Sequence, residues 1–115
     1  MKFTLARETE YTPKWNGNDK AEEPIVFGLR YLNTPERDSV LSPAFGPDGK
    51  PIVKPDYQRA FNLGVVSIRG LTVDAKPITA RKEFLELPGF YELFLEVASQ
   101  ILLMNAVDDS LKNSP

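Results

Sequence analysis

FYELFLEVASQILLMN, residues 90–105, is the stretch that decides the fold. Its apolar side chains recur every three or four residues, the spacing that places them on one face of an α-helix. Glu92, Glu96 and Gln100 fall on the opposite face. At ~1.5 Å per residue, a helix of this length extends roughly 25 Å, about the width of a small domain. Its apolar stripe comprises Phe90, Leu93, Phe94, Val97, Ile101 and Met104.

The segments before this helix predict short strands. Residues 2–7 alternate, with Phe3 and Leu5 on one face, as in a half-buried strand. Residues 25–32 are rich in β-branched and aromatic side chains and predict a second strand, which we expect to pair with the first. Residues 71–78 predict a short extended element with a turn near Asp74.

Three further helices are predicted between the strands. The first begins at Thr34, which can cap it, and ends near Leu41. The second covers residues 56–68, although Gly64 and the following β-branched residues leave its second half open to an extended form. The third covers residues 80–87, with Thr79 as a cap. We therefore expect a single α+β domain, residues 1–115, in which short N-terminal antiparallel strands pack with three to four helices and a long C-terminal amphipathic helix.

Polar, turn-rich segments predict the loops. Residues 8–23 are expected to form a mobile surface loop, with Trp15 at its middle either folded back onto the body or exposed as a binding anchor. Residues 46–55 contain a Pro-Asp-Gly turn and are also expected to be a loop. Residues 108–115 predict a frayed tail.

Composition excludes several classes of function. The 115 residues carry a net charge of −2, a balance that argues against binding to a nucleic-acid backbone. The absence of Cys excludes disulfides and thiolate metal sites, and the absence of His removes the commonest general base and zinc ligand. No apolar run approaches the roughly 18–20 residues of a membrane span. We expect a cytoplasmic protein that contacts neither nucleic acid nor membrane.

No motif in the sequence indicates catalysis. There is neither a Gly-rich phosphate loop nor a Gly-x-Ser-x-Gly elbow. The adjacent carboxylates Glu22 and Glu23 lie in a polar segment, as do Asp108 and Asp109, which is typical of solvated charge. Glu92 and Glu96 share a helix face but have no third ligand nearby for a hard cation. We expect no catalytic residue, no cofactor and no metal site, and therefore a protein that is not an enzyme.

The apolar surface of the final helix suggests binding of another protein. Its stripe is most simply core, yet so short a chain offers few elements to cover it, and a partly covered stripe would leave a groove for an amphipathic helix or a second subunit. Self-association is therefore a further expectation. The predicted partner-binding residues are Phe90, Phe94, Val97, Ile101, Met104 and Trp15.

The C-terminal half resembles a known family, and one motif nearer the N-terminus adds to the resemblance. Residues 66–79, VSIRGLTVDAKPIT, are followed by FLELPG at 84–89, by the long helix, and by LKNS at 111–114. Together with YLNTPERD at 31–38, this order resembles the tail assembly chaperones of long-tailed (siphovirus-like) bacteriophages and prophages. The likeness extends over roughly residues 25–114.

This resemblance implies a function without catalysis. Such chaperones coat the tape-measure protein, keep it soluble, and deliver it to tail-tube subunits in the host bacterial cytoplasm. The implied partners are the tape-measure protein and the tail-tube protein. Two alternatives remain open: a structural component of the virion, such as a tail-completion or connector protein, and a bacterial protein-interaction adaptor unrelated to phage.

Overall fold

The computed structural model describes residues 1–107 and 111–113, and it confirms the α+β class. The helices are α1 (Thr34–Val40), α2 (Tyr57–Gly64), α3 (Arg81–Leu85) and α4 (Tyr91–Val107), with a 3-10 helix at Trp15–Lys20. The strands are β1 (Phe3–Leu5), β2 (Glu8–Tyr11), β3 (Val26–Arg30), β4 (Leu41–Phe45), β5 (Pro51–Pro55), β6 (Val65–Arg69), β7 (Thr72–Val73), β8 (Lys76–Pro77) and β9 (Leu111–Asn113).

A three-stranded antiparallel sheet of order β2-β3-β6 supports the core. The strand predicted at 25–32 is its centre, and Phe27 lies opposite both Tyr11 on β2 and Ile68 on β6. The predicted pairing of this strand with the first strand is wrong. Residues 8–11 take that edge instead, while β1 pairs with β9. A strand as buried as β3 needs hydrogen-bonding neighbours on both sides, because its backbone groups are removed from water.

Helix α4 packs across α2 and this sheet, and their side chains form the hydrophobic core. The close approach of the two helices depends on Gly64, where an added Cβ would lie 2.6 Å from Cγ2 of Ile101. Gly64 also ends α2, since residues 65–69 form a strand rather than the second half of a helix. Three phenylalanines from different elements meet in the core with ring centroids 5.3–6.2 Å apart: Phe27, Phe61 and Phe84.

The expectation of a mobile loop at residues 8–23 is wrong. Its first part is β2, and its second part is a 3-10 helix held by the buried side chain of Asn18. Asn18 Nδ2 donates to the carbonyls of Pro13 and Ile25, each over 2.9 Å, and Asn18 Oδ1 accepts from the Ile25 amide over 2.7 Å. One amide side chain thereby closes the segment on both sides and satisfies backbone groups that water does not reach.

Other local predictions are confirmed or corrected by the capping geometry. Helix α1 begins where expected, but its cap is Asn33 rather than Thr34. Asn33 and Glu36 form a capping box, in which the side chain of each accepts from the backbone amide of the other. The N-cap of α3 is Ala80, so Thr79 does not cap that helix. The turn near Asp74 is confirmed, with Asp74 and Ala75 both at positive φ between β7 and β8.

Two ribbons extend from the body. Residues 46–55 were expected to form a loop, but β5 pairs with β4 in a hairpin that spans 41–55. The tail predicted to fray contributes β9, which pairs with β1, and the rest of it, residues 108–110 and 114–115, lies outside the described residues. The radius of gyration is 16.1 Å, whereas a chain of this length packed as a simple globule would have about 13 Å. The ribbons account for the difference.

Candidate partner-binding site

An apolar groove opens where the first turns of α2 and α4 meet α3. Its volume is about 510 Å³, within the ~300–1,000 Å³ typical of ligand clefts. We call it the α2–α4 groove, and it is lined by Tyr57, Gln58, Phe84, Leu85, Leu87, Pro88, Gly89, Phe90, Tyr91 and Phe94.

Local sequence signals place the groove-lining residues. The Asp56 side chain caps α2 by accepting from the Arg59 amide over 3.0 Å, so Tyr57 is fixed in the first turn. Pro88 and Gly89 separate α3 from α4, and Gly89 adopts a φ of 89°, which an L side chain rarely tolerates. Residues on both sides of this turn line the same opening: Phe84, Leu85, Leu87, Phe90, Tyr91 and Phe94.

The groove has a rigid floor and an exposed wall. Phe84 is buried in the floor, where its ring stacks on Phe61 with centroids 5.3 Å apart. Phe94 packs against the other side of Phe61 at 5.2 Å. By contrast, Tyr91 is 67% exposed and Tyr57 is 37% exposed on the wall. A fixed floor with two solvated aromatic side chains beside it is typical of a surface that can bury a partner's apolar side chains without rearranging.

The structure divides the predicted partner-binding residues into two groups. Phe90 and Phe94 line the groove. Val97 and Ile101 have no exposed surface and Met104 has 6%, so their side chains belong to the core and do not reach a partner in this conformation. They face α2 and the sheet, which together cover most of the stripe on α4.

Trp15 is folded back onto the body, half-buried against the core, with its ring 5.5 Å from that of Phe90. It does not line the groove. Of the two predicted positions of Trp15, the structure shows the first, since its ring packs against the core and contacts Phe90, a groove-lining residue.

Glu96, on the polar face of α4, holds the N-terminal segment in place. Its Oε2 accepts from the Tyr11 hydroxyl over 2.6 Å and from the Lys14 amide over 2.7 Å. Burial, reinforced by the hydrogen bond to Glu96 and by the negative charges of Glu96 and Asp19, raises the pKa of Tyr11 to about 12. This contact keeps Trp15 against α4.

Sequence reasoning missed several groove residues. Tyr57 lies on α2, Leu85 ends α3 and Leu87 lies in the connection to α4; all three were predicted to be helical, without a role in binding. The available signal was the Leu-x-Leu-Pro-Gly-Phe-Tyr run at 85–91, in which apolar residues continue through a turn where polar residues are usual.

Three further findings concern the described residues. They contain no group of three or more acidic side chains placed to hold a metal ion. Every buried side-chain nitrogen or oxygen among them has a hydrogen-bond partner, so no unpaired polar atom awaits a ligand. No helix among them is long and apolar enough to cross a bilayer.

Comparisons with known proteins found no matching family model, no matching curated protein and no matching solved structure. The features that bear on function are therefore the groove, whose lining can bind apolar side chains, and the family resemblance of the sequence.

Proposed function

We propose that this protein is a tail assembly chaperone of a long-tailed bacteriophage or prophage, which binds the tape-measure protein in the α2–α4 groove and keeps it soluble during tail assembly. The order of residues 31–38, 66–79, 84–89 and 111–114 supports the family, and the exposed apolar groove supports the mode of action. The proposed role is binding without catalysis, in the bacterial cytoplasm.

The observation that carries the proposal is the exposed aromatic wall beside a fixed aromatic floor. Tyr57 and Tyr91 line the opening with exposed side chains, and Leu85 and Leu87, which also line it, are half-buried. An amphipathic helix presents apolar side chains at i, i+3, i+4 and i+7, and such a row enters an apolar groove of this kind. A tape-measure protein, as a long helical chain, offers many such rows.

The groove also suits a transient complex. Its lining carries no charged residue, so binding does not require a buried ion pair, with its large desolvation cost. Each aromatic side chain that becomes covered removes on the order of 150–250 Å² from water at most. Contacts on this scale favour moderate affinity and release when tail-tube subunits arrive.

Co-expression with the tape-measure protein tests the proposal. We expect the wild-type chain to increase the soluble fraction of that protein, and Tyr91→Asp to abolish the increase, because a carboxylate would have to be buried in the groove. Leu103→Asp is the matched control, since Leu103 is 60% exposed on the same helix but does not line the groove. Equal solubilisation by wild type and Tyr91→Asp, with both variants folded by circular dichroism, would exclude the groove as the client site.

A structural component of the virion is the second candidate, and the β4–β5 hairpin is the observation that favours it. An exposed arm of this kind is common in subunits that contact neighbours in an assembly. Mass spectrometry of purified virions separates the two functions, because a chaperone leaves the finished particle and a connector or tail-completion protein remains in it.

A further inference from the structure

The hairpin formed by β4 and β5, residues 41–55, exposes apolar side chains near its end. Phe45 is 79% exposed, Val53 is 67% exposed and Ile52 is 49% exposed. Its base is fixed, because the Asp56 amide donates to the Val40 carbonyl over 2.8 Å and Leu41 packs against the core. The hairpin is therefore anchored at one end and offers its apolar end to solvent.

The backbone of this hairpin is unsuited to pairing with another strand. Hydrogen bonds join residues 46 and 50 at one end and 40 and 56 at the other. In an antiparallel ladder the bonded pairs alternate, so the backbone groups of residues 41, 43, 45, 51, 53 and 55 point outward. Pro43, Pro51 and Pro55 occupy three of these six positions and have no amide proton to donate. Prolines at outward positions block edge-to-edge association without cost to the ladder.

The two faces of the hairpin differ in polarity. Because residues directly opposite in the ladder share a face, Leu41, Phe45, Pro51, Val53 and Pro55 all lie on one face. Each of these residues is apolar, whereas the other face is mixed and carries Lys54 together with Ile52. Because prolines block its edges, the hairpin can associate with a partner through this apolar face. The matching surface on the partner is then an apolar cleft rather than the edge of a strand.

The α2–α4 groove is a cleft of the required chemistry, and the hairpin does not occupy it within its own chain. Phe45 remains 79% exposed, and no hairpin residue lines the groove. Strands of five residues extend about 17 Å at ~3.3 Å per residue. That length is sufficient for the hairpin to reach into a neighbouring molecule while its base stays in its own core.

The charges around the two surfaces are complementary. Lys50 and Lys54 lie on the hairpin, whose one acidic residue, Asp48, is engaged in the turn through a 3.1 Å contact from the Lys50 amide to its Oδ1. Glu86 and Glu92 are exposed and adjoin groove-lining residues in the sequence. Lysines on the arm and glutamates beside the groove favour the encounter between two copies of this chain.

We infer that the β4–β5 hairpin of one copy inserts its apolar face into the α2–α4 groove of a second copy. The two surfaces are different, so the contact is head-to-tail and produces a ring when the rotation closes and a filament when it does not. This association needs no client, and it stands independently of the proposed chaperone function.

Sedimentation velocity on the purified chain tests the inference. We expect the average mass of the wild-type particles to increase with protein concentration. Phe45→Asp and Tyr91→Asp should both be monomeric over the same range of concentrations. Val53→Asp provides a second hairpin variant, and Leu103→Asp, exposed but outside both surfaces, should associate as the wild type does. Circular dichroism establishes that each variant is folded.

Mixing the two monomeric variants distinguishes this contact from a symmetric one. Phe45→Asp retains an intact groove and Tyr91→Asp retains an intact hairpin, so an equimolar mixture should form a one-to-one heterodimer. Self-association of Phe45→Asp alone would mean that grooves pair with grooves, and self-association of Tyr91→Asp alone would mean that hairpins pair with hairpins. Either result would overturn the inference. A mixture that stays monomeric, or a wild type that is monomeric at every concentration measured, would also overturn it.

Discussion

The hydroxyl of Tyr11 donates to Glu96 Oε2 over 2.6 Å, joining the edge strand β2 to the middle of α4 across 85 positions of sequence. The same oxygen accepts from the Lys14 amide, so a single carboxylate fixes both the strand and the start of the 3-10 helix. The position of Trp15 behind the groove wall depends on this contact.

Removal of the Tyr11 hydroxyl should destabilise the protein modestly. For Tyr11→Phe we expect a loss of about 1 kcal/mol in the free energy of unfolding, the usual value for one hydrogen bond, measured by urea denaturation. Tyr91→Phe is the matched control, because no described residue is hydrogen-bonded to the Tyr91 hydroxyl, and it should leave stability unchanged. A Tyr11→Phe variant as stable as wild type would show that the contact adds nothing.

The raised pKa of Tyr11 predicts that the free energy of unfolding depends on pH at the alkaline end. Tyr11 has a pKa of about 12 in the folded protein against an ordinary value of 10.0. Between these values the unfolded chain has released the proton and the folded chain retains it, so the stability that Tyr11 contributes is complete below pH 10 and declines as pH rises toward 12. Tyr11→Phe cannot ionise at this position, and the stability difference between it and wild type should therefore shrink as the pH rises from about 10 toward about 12. A stability difference that stays constant over this pH range would contradict the raised pKa of Tyr11.

Asn18 should be among the polar residues most sensitive to substitution. Asn18→Ala would leave the Ile25 amide and the carbonyls of Pro13 and Ile25 buried without their partner, and we expect a loss of about 3 kcal/mol in unfolding free energy. Asn62→Ala, on an exposed position of α2, is the matched control and should change stability by less than about 0.5 kcal/mol. Similar losses for the two variants would show that the 8–23 segment does not depend on Asn18.

Gly64 and Ile101 should be energetically coupled. Gly64→Ala introduces a Cβ that would lie 2.6–2.9 Å from three side-chain carbons of Ile101, and we expect a loss of about 1–3 kcal/mol from overpacking. Ile101→Ala removes those carbons at a cost of about 2–5 kcal/mol. The double variant should therefore be more stable than the sum of the single losses implies, as measured by a double-mutant cycle. Strict additivity would mean that the helices move apart to accommodate the methyl group.

The sequence predicted those elements whose determinants are local. The periodicity of residues 90–105 was sufficient for α4, and the alternation at 25–32 was sufficient for β3. The end of α2 at Gly64 could be left only as an alternative, because it depends on the approach of Ile101 from α4. The 8–23 segment was misread since its polar composition is typical of a loop, whereas Asn18 and Tyr11 act through contacts with residues distant in the sequence.

The sequence predicted an uncovered apolar surface on α4 but not the position of that surface along the helix. The excess of apolar side chains on α4 predicted an apolar surface that the chain covers incompletely, and Phe90 and Phe94 line the groove. Which part of the stripe becomes core depends on where α2 and the sheet dock, and this cannot be read from helical spacing. Val97, Ile101 and Met104 were therefore assigned to a surface that they do not reach.

The pairing of β1 with β9 has a consequence for synthesis on the ribosome. Phe3 lies opposite Asn113, so β1 leaves the exit tunnel long before its partner β9, and the ladder between them cannot form until β9 has emerged. The core, by contrast, can close as soon as α4 has emerged, because its sheet uses β2, β3 and β6. Loop-closure entropy increases only slowly with length. The ribbon should therefore form late, on a body already folded.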